Sequence, residues 1–357
     1  MQPTNTTKIN LLEFSRSELE KFFTDLGEKS FRGTQVFKWV HQLGQTDFAT
    51  MTNLSLALRQ HLIDNTEVRL PEITTTLVSK DGARKWLLKL ADNNYIETVL
   101  IPEADRGTLC VSSQVGCQVN CDFCATGKLG FKRNLTLSEI IGQLWIANRE
   151  LSPDKTSRHH VITNVVFMGM GEPLLNFENV VKAAEIMLDN NAYGLSKFRV
   201  TVSTCGITPE ILRLKEVSKV SLAISLHASN DKLRNKLMPI NKKYPIAELI
   251  SAAKIYFKDE PKRAVTIEYI MLDGINDSVS HAHELAKLLR GAYFKVNLIP
   301  GNFISGSSYK SSAQSTIDAF RDVLLASGIN TITRKSRGSD IAAACGQLVA
   351  EKLVSSV

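Results

Sequence analysis

At 357 residues with 43% hydrophobic content, the chain reads as a globular, enzyme-sized protein with room for one large domain and a smaller one. No run approaches the roughly 18 apolar residues that span a bilayer. The polar start Met1-Gln-Pro-Thr-Asn-Thr-Thr7 lacks the charged-then-apolar layout of a secretory signal, so membrane and secreted classes are excluded and a cytoplasmic location is expected.

From Leu11 to about Thr66 the apolar period is helical, through Leu19, Phe22, Phe23 and Leu26, then Val36, Phe37, Val40 and Leu43, then Leu54, Leu58 and Leu62. Gly27, Gly33 and Gly44 sit where short helices stop or turn. Phe31, Phe37 and Trp39, interleaved with Lys and Arg, suit either RNA contacts or a small core. Between residues 73 and 113 the period shortens towards two, in segments 73–79, 86–90, 95–101 and 108–112, with turn signals at Asp81-Gly82 and Asp92-Asn93-Asn94. Strand-like and helix-like segments then alternate about six times, which marks a parallel α/β domain. Its strands are expected at 108–112, 161–168, 198–203, 220–226, 264–271 and 292–299. A capping box, Thr136 with Glu139, opens the first helix, and Thr208-Pro209 opens the third. The expected division is a helical domain over 1–70, linking strands over 71–105, the α/β domain over 106–335 and a C-terminal segment over 336–357.

Ligands of such sheets gather at the carboxyl ends of the strands, where loops and helix amino-termini converge. Short motifs recur at those ends: Met168-Gly-Met-Gly-Glu-Pro-Leu174 after the second strand, Ser203-Thr-Cys-Gly206 after the third, Ser225-Leu-His-Ala-Ser229 after the fourth and Pro300-Gly-Asn302 after the sixth. Gly116-Cys-Gln-Val-Asn-Cys-Asp-Phe-Cys124 follows the first and gathers three of the 6 cysteines, Cys117, Cys121 and Cys124. Soft thiolates select zinc, copper(I) or an iron–sulfur cluster. A structural zinc site is closed by four ligands, and a fourth of the usual kind is missing nearby. Three cysteines at this spacing suit a cubane cluster held at three irons, with the fourth iron open. The net charge of +7 and a pI near 9.0 favour a polyanionic partner. The basic groups are Lys128, Lys132 and Arg133; Lys232, Arg234, Lys236, Lys242 and Lys243; and Arg334, Lys335 and Arg337.

Cys-x-x-x-Cys-x-aromatic-Cys, with Phe123 in the aromatic slot, resembles the signature of the radical S-adenosylmethionine (SAM) enzymes. The resemblance implies a [4Fe-4S] cluster on Cys117, Cys121 and Cys124, SAM chelating the open iron, and a TIM-like partial (β/α)6 barrel of the α/β class with a small N-terminal helical domain. Gly169-Met-Gly-Glu-Pro173 is similar to the superfamily's SAM-binding element. By the same resemblance SAM contacts fall to Gly171, Glu172, Ser203, Ser225, Leu226, His227 and Asn302. The wording around Gly301-Asn302-Phe303 departs from the family's Pro-rich pattern.

Across about Leu11 to Leu348 the chain resembles the RNA adenine-C2 methyltransferases of the RlmN family. The resemblance rests on Ile96-Glu-Thr-Val-Leu-Ile-Pro-Glu103, Arg106-Gly-Thr-Leu-Cys-Val-Ser-Ser-Gln-Val-Gly-Cys117, Leu237-Met-Pro-Ile-Asn241, Tyr269-Ile-Met-Leu-Asp-Gly-Ile-Asn-Asp277 and Ala344-Cys-Gly-Gln-Leu348. It implies 23S rRNA and tRNA as substrates, a reducing donor such as flavodoxin, and a monomer. It also implies that Cys345 accepts a methyl group from one SAM, that a second SAM activates it, that Glu97 takes the carbon-2 proton, and that Cys110 resolves the protein–RNA adduct through a transient disulfide with Cys345. Read alone, Cys345 would be helix packing, Cys110 a buried strand residue and Glu97 a surface one. Cys205 has no role in the resemblance and is expected to pack in the core. The alternatives are a carbon-8 methyltransferase of the same rRNA adenine and a non-catalytic RNA-binding protein with a structural zinc.

Overall fold

Segments rich in Val, Ile and Thr, separated by amphipathic helices, build one ten-stranded sheet in the computed structural model, which describes residues 8–151, 161–260, 262–302 and 308–348. Its strands are β1 (Glu72–Val78), β2 (Arg84–Lys89), β3 (Tyr95–Glu103), β4 (Arg106–Cys110), β5 (Asn164–Phe167), β6 (Val200–Thr204), β7 (Ser221–Ser225), β8 (Val265–Met271), β9 (Phe294–Pro300) and β10 (Asn330–Thr333). They lie side by side in chain order. β1 to β4 pair antiparallel through tight turns, and β4 to β10 pair parallel through helical crossovers. All six expected parallel strands are present. A seventh, β10, is added: its four residues are too short a run to show a period of two in the sequence.

Alternation along each strand sorts the two faces. On the outer face Val165, Phe167, Val200, Val202, Leu222, Ile224, Ile267, Tyr269, Val296 and Leu298 are buried under the helices. The inner face carries Thr108, Val166, Thr201, Ala223, Thr266, Glu268, Asn297 and Ile332, drawn from seven neighbouring strands, and all of them line one cavity of about 720 Å³. A flat sheet could not enclose such a space with one face, so the sheet curls into a partial barrel. The crossovers include α4 (Leu137–Leu151), α5 (Phe177–Leu188), α6 (Thr208–Val217), α7 (Asp231–Leu237), α8 (Ile246–Tyr256), α9 (Val279–Leu288) and α10 (Gln314–Ala326). The capping box before α4 is formed: Glu139 accepts from Thr136 N–H and donates its own N–H to Thr136 Oγ1.

The N-terminal module contains α1 (Arg16–Asp25), α2 (Phe31–Phe37) and α3 (Leu56–Asn65) around Leu19, Phe23, Val36, Phe37 and Leu62. Phe37 is therefore core, whereas Phe31 is exposed, with the Arg32 guanidinium 4.9 Å from its ring. The module docks on the barrel through Trp145, whose indole N–H donates to the Val40 carbonyl at 2.8 Å. The C-terminal segment is described as far as Leu348; residues 349–357 lie outside the described residues. No described helix is long and apolar enough to cross a membrane.

Candidate active site

The cysteine loop follows β4 through a short hairpin, Gln114–Gly116 against Phe131–Asn134. Gly116 is obligatory there: its φ is +74°, and a Cβ would stand 1.8 Å from the Gly130 carbonyl oxygen. The loop then tightens, with Cys124 N–H donating to Cys121 O and Gly127 N–H to Cys124 O. Cys117, Cys121 and Cys124 face one cavity together. Burial pushes the Cys117 thiol up to about 12 and the Cys121 thiol well above its ordinary value. Two such thiols ionise together only against an added positive charge.

The strand-end motifs meet the same cavity, which is lined by Gly171, Glu172, Ser203, Ser225 and His227. Gly171, at φ +97°, lies so close to Gln114 that a Cβ would approach its side chain to 2.5 Å. The motif is clasped by the chain leading to the cysteines: Gln114 Oε1 accepts from Glu172 N–H, and Ser112 Oγ from Met170 N–H. The Glu172 carboxylate spans two strand ends, accepting from Leu174 N–H at 3.0 Å and Cys205 N–H at 2.7 Å, and burial raises its pKa. His227 sits at φ +60° and is held neutral, its pKa pushed down to about 3 by burial. Its Nδ1 accepts from Ile270 N–H, so the ring proton belongs on Nε2. Phe123 packs edge-on against this ring at 4.9 Å, tying the cysteine loop to the β7 end. Leu226 is fully buried and does not line the cavity; its N–H donates to Glu268 O and its carbonyl accepts from Arg234. Asn302 lies in the adjoining inner cavity, bonded to Pro300 O and Ser336 Oγ.

Cys345 also lines the cavity, although it is remote in sequence. Its segment is clamped on both sides. Ala125 N–H donates to Gly346 O and Thr126 Oγ1 to Leu348 O on the cysteine-loop side. Across from them, Ser79 Oγ and Lys80 N–H donate to the Asp340 carboxylate, Gly338 N–H to Asp81, and Lys85 Nζ to Ala342 O. The same Lys85 ammonium pairs with Glu97 at 3.0 Å, both side chains being buried. Glu97 and Cys110 share a sheet face, because Val99, two residues from Glu97, stands opposite Cys110 in the ladder. Burial pushes the Cys110 thiol up to about 12, and the proximity of Cys345 adds to the rise.

Residues 9–68 match the family model described as the ribosomal RNA large subunit methyltransferase N-terminal domain, and residues 111–289 match the radical SAM superfamily. A dual-specificity RNA methyltransferase RlmN from Marinobacter nauticus is 54% identical over 344 residues, covering 96% of this chain and 93% of the relative. The crystal structure of a radical SAM methyltransferase from Sphaerobacter thermophilus superposes with a TM-score of 0.89 at 41% identity, covering 96% of this chain and 100% of that one. The chain belongs to the RlmN family. It is therefore a radical SAM RNA methyltransferase, with a [4Fe-4S] cluster and SAM as cofactors.

The residues present fit those cofactors. Cys117, Cys121 and Cys124 face one cavity, and a cubane offers a separate iron to each of three such cysteines. The loop thiols are soft donors of the kind that hold iron–sulfur clusters.

Four residues of the RlmN-type site were not singled out as site residues in the sequence. Arg234, grouped there with surface lysines, is instead 0% exposed. Its guanidinium donates to the carbonyls of Leu226, Cys205 and Ser225 and to Asn241 Oδ1, so it knots the ends of β6 and β7 behind Cys121. Lys85 is the counter-ion of Glu97. Arg334, grouped with a second basic cluster, lines both cavities beside Cys345, as does Glu268. Arg133 is likewise engaged, with Asp92 and Glu139, whereas Lys232, Lys236, Lys242, Lys243 and Lys335 are exposed. Cys205 is buried as expected, yet it borders the SAM-type cavity. An arginine's destination, surface or interior, leaves no local trace in sequence.

Proposed function

We propose that the chain methylates carbon 2 of an adenine in 23S rRNA, at the peptidyl transferase centre, and of an adenine in tRNA, through a methyl group carried on Cys345. The observation that carries this reading is the meeting of Cys345, the three loop cysteines and the strand-end motifs in one cavity, with Cys110 in the neighbouring strand. When bound, the cluster and SAM supply the methyl group and a hydrogen-abstracting radical. Cys117, Cys121 and Cys124 would hold the cluster, and Gly171, Glu172, Ser203, Ser225, Leu226, His227 and Asn302 would hold SAM, Leu226 through its place in the chain between Ser225 and His227.

Carbon 2 lies between two ring nitrogens and is too electron-poor to attack a methyl group as a nucleophile. In this reading the sulfur of Cys345 takes the methyl group first, and its activated methylene carbon bonds to carbon 2. Glu97 accepts the proton released there, its carboxylate held in place by the Lys85 ammonium. The Cys110 thiolate then attacks the Cys345 sulfur; the sulfur–methylene bond breaks, its electron pair passes to the carbon, which takes up a proton to become the methyl group, and the disulfide formed releases the methylated ring. The reading extends to a flavodoxin-type electron donor, a monomeric enzyme, a cytoplasmic location, and an N-terminal module over 1–70 that contacts RNA.

Mass spectrometry of RNA nucleosides after anaerobic reaction tests this. The expected product is 2-methyladenosine; 8-methyladenosine would assign the chain to the carbon-8 chemistry instead.

A further inference from the structure

The inner face of the barrel holds a buried carboxylate that the proposed chemistry leaves unused. Glu268, on β8, is 3% exposed, and its Oε1 accepts from Asn297 Nδ2 at 2.8 Å across the β8–β9 ladder. Its Oε2 is buried and has no hydrogen-bond partner among the described residues. The nearest cation is Arg334 Nη1 at 3.9 Å, beyond hydrogen-bond distance. Arg334 itself has only a weak contact in this direction, Nη1 to the Met168 sulfur at 4.0 Å. Both residues border the SAM-type cavity and the inner cavity, where Cys345 borders both as well. A buried acceptor left unmatched is costly, and an acceptor and a multiple donor side by side at the reacting sulfur are complementary to a ligand with the reverse pattern.

Resting on the carbon-2 reading above, we infer that Glu268 and Arg334 select the target base, Glu268 Oε2 accepting a hydrogen bond from the exocyclic amino group of adenine and Arg334 donating to the ring nitrogen beside it. The chemistry of the purine edge supports this. An adenine nucleotide has one donor group on its ring, the amine at carbon 6, and an ionised carboxylate can only accept. Next to that amine stands N1, an acceptor, and N1 adjoins carbon 2, the atom that must face Cys345. Guanine places a carbonyl where adenine has the amine, so it would set an acceptor against the carboxylate. Burial raises the Glu268 pKa, and the Arg334 guanidinium at 3.9 Å and the Asn297 hydrogen bond oppose that rise on the side of the ionised form. Because Oε2 is shielded, a base that reaches it displaces the Arg334 guanidinium by side-chain rotation, which its weak thioether contact allows.

The test compares target RNA with the same RNA carrying purine, which lacks the amine, at the target position. The reconstituted wild type, Glu268→Ala and Glu268→Gln are each assayed for kcat/KM. SAM affinity is measured separately by equilibrium dialysis without RNA. We expect the wild type to prefer adenine by about 10- to 100-fold. Both variants should lose the preference to within about threefold while binding SAM as the wild type does. Glu268→Gln keeps the shape and the Asn297 contact, so it decides the matter if the alanine variant does not fold. A preference retained in Glu268→Gln overturns the inference. So does a loss of kcat/KM matched by an equal loss of SAM affinity, which would assign Oε2 to SAM. The wild-type reaction with adenine RNA tests the underlying carbon-2 reading independently, through its product.

Discussion

Arg234 offers the sharpest test of how the fold supports the site. Replacing it by leucine keeps much of its apolar volume but removes every donor that serves Leu226 O, Cys205 O, Ser225 O and Asn241 Oδ1, at 3.0, 2.6, 3.0 and 2.8 Å. Each buried acceptor left unmatched costs about 1–3 kcal/mol. Against this stands the recovered cost of burying the guanidinium, whose pKa is lowered by that burial. A net loss of about 4 kcal/mol follows, near the top of the range for single substitutions. With a urea dependence of about 3 kcal/mol/M, the unfolding midpoint should fall by roughly 1.3 M. SAM affinity of the reconstituted protein should fall too, because the knot joins the Ser203 and Ser225 strand ends. Arg234→Lys, which keeps the charge but one donor centre, should lie between. A midpoint within about 0.3 M of the wild type, with SAM binding intact, would refute the reasoning.

Cys345→Ala should abolish RNA methylation while cluster assembly and reductive SAM cleavage persist, read as 5′-deoxyadenosine; retained methylation would remove Cys345 from the chemistry. Cys110→Ala should accumulate a covalent protein–RNA adduct on denaturing gels, and normal RNA release would point to another resolving group. Gly171→Ala forces a Cβ to 2.5 Å from Gln114 at φ +97°, so a destabilisation of about 2 kcal/mol or more and weaker SAM binding are expected by thermal melting and dialysis. His41 is buried and its pKa is pushed down from 6.5 to about 3, so the unfolded chain takes up a proton that the folded chain refuses. Its contribution is present above pH 6.5 and is lost as the pH falls towards 3, by about 2 kcal/mol at pH 5. His41→Gln should flatten that part of the urea-midpoint profile between pH 6 and 4, and an unchanged slope would contradict it.

Much of the fold was legible because its signals are local. The alternation of apolar residues gave the antiparallel lead-in and six parallel strands, and Thr136 with Glu139 marked the start of α4. β10 escaped because four residues carry too little pattern, and its place beside β9 is a tertiary pairing. The site was legible in its motifs and less so in its supports. Glu97, a surface residue on its own alternation, is buried against Lys85, because the C-terminal segment folds over that face. Arg234 and Arg334, read in the sequence only as members of basic groups, serve the site instead: Arg234 is fully buried, and Arg334, partly exposed, lines both cavities.

By itself the sequence determined the chemistry. A cluster loop is made by residues adjacent in the chain, and a glycine such as Gly116 is dictated by its own backbone torsion and one close carbonyl. Motif spacing at successive strand ends then implied a shared site, since parallel strands all end on one side. Only the tertiary structure decided which distant groups meet there. It brought Cys345 to the cluster cavity through Ala125, Thr126 and Lys85, buried Arg234 beneath the strand ends, and left a bare carboxylate oxygen of Glu268 beside Arg334. Those contacts join segments far apart in the chain, and no local pattern records them.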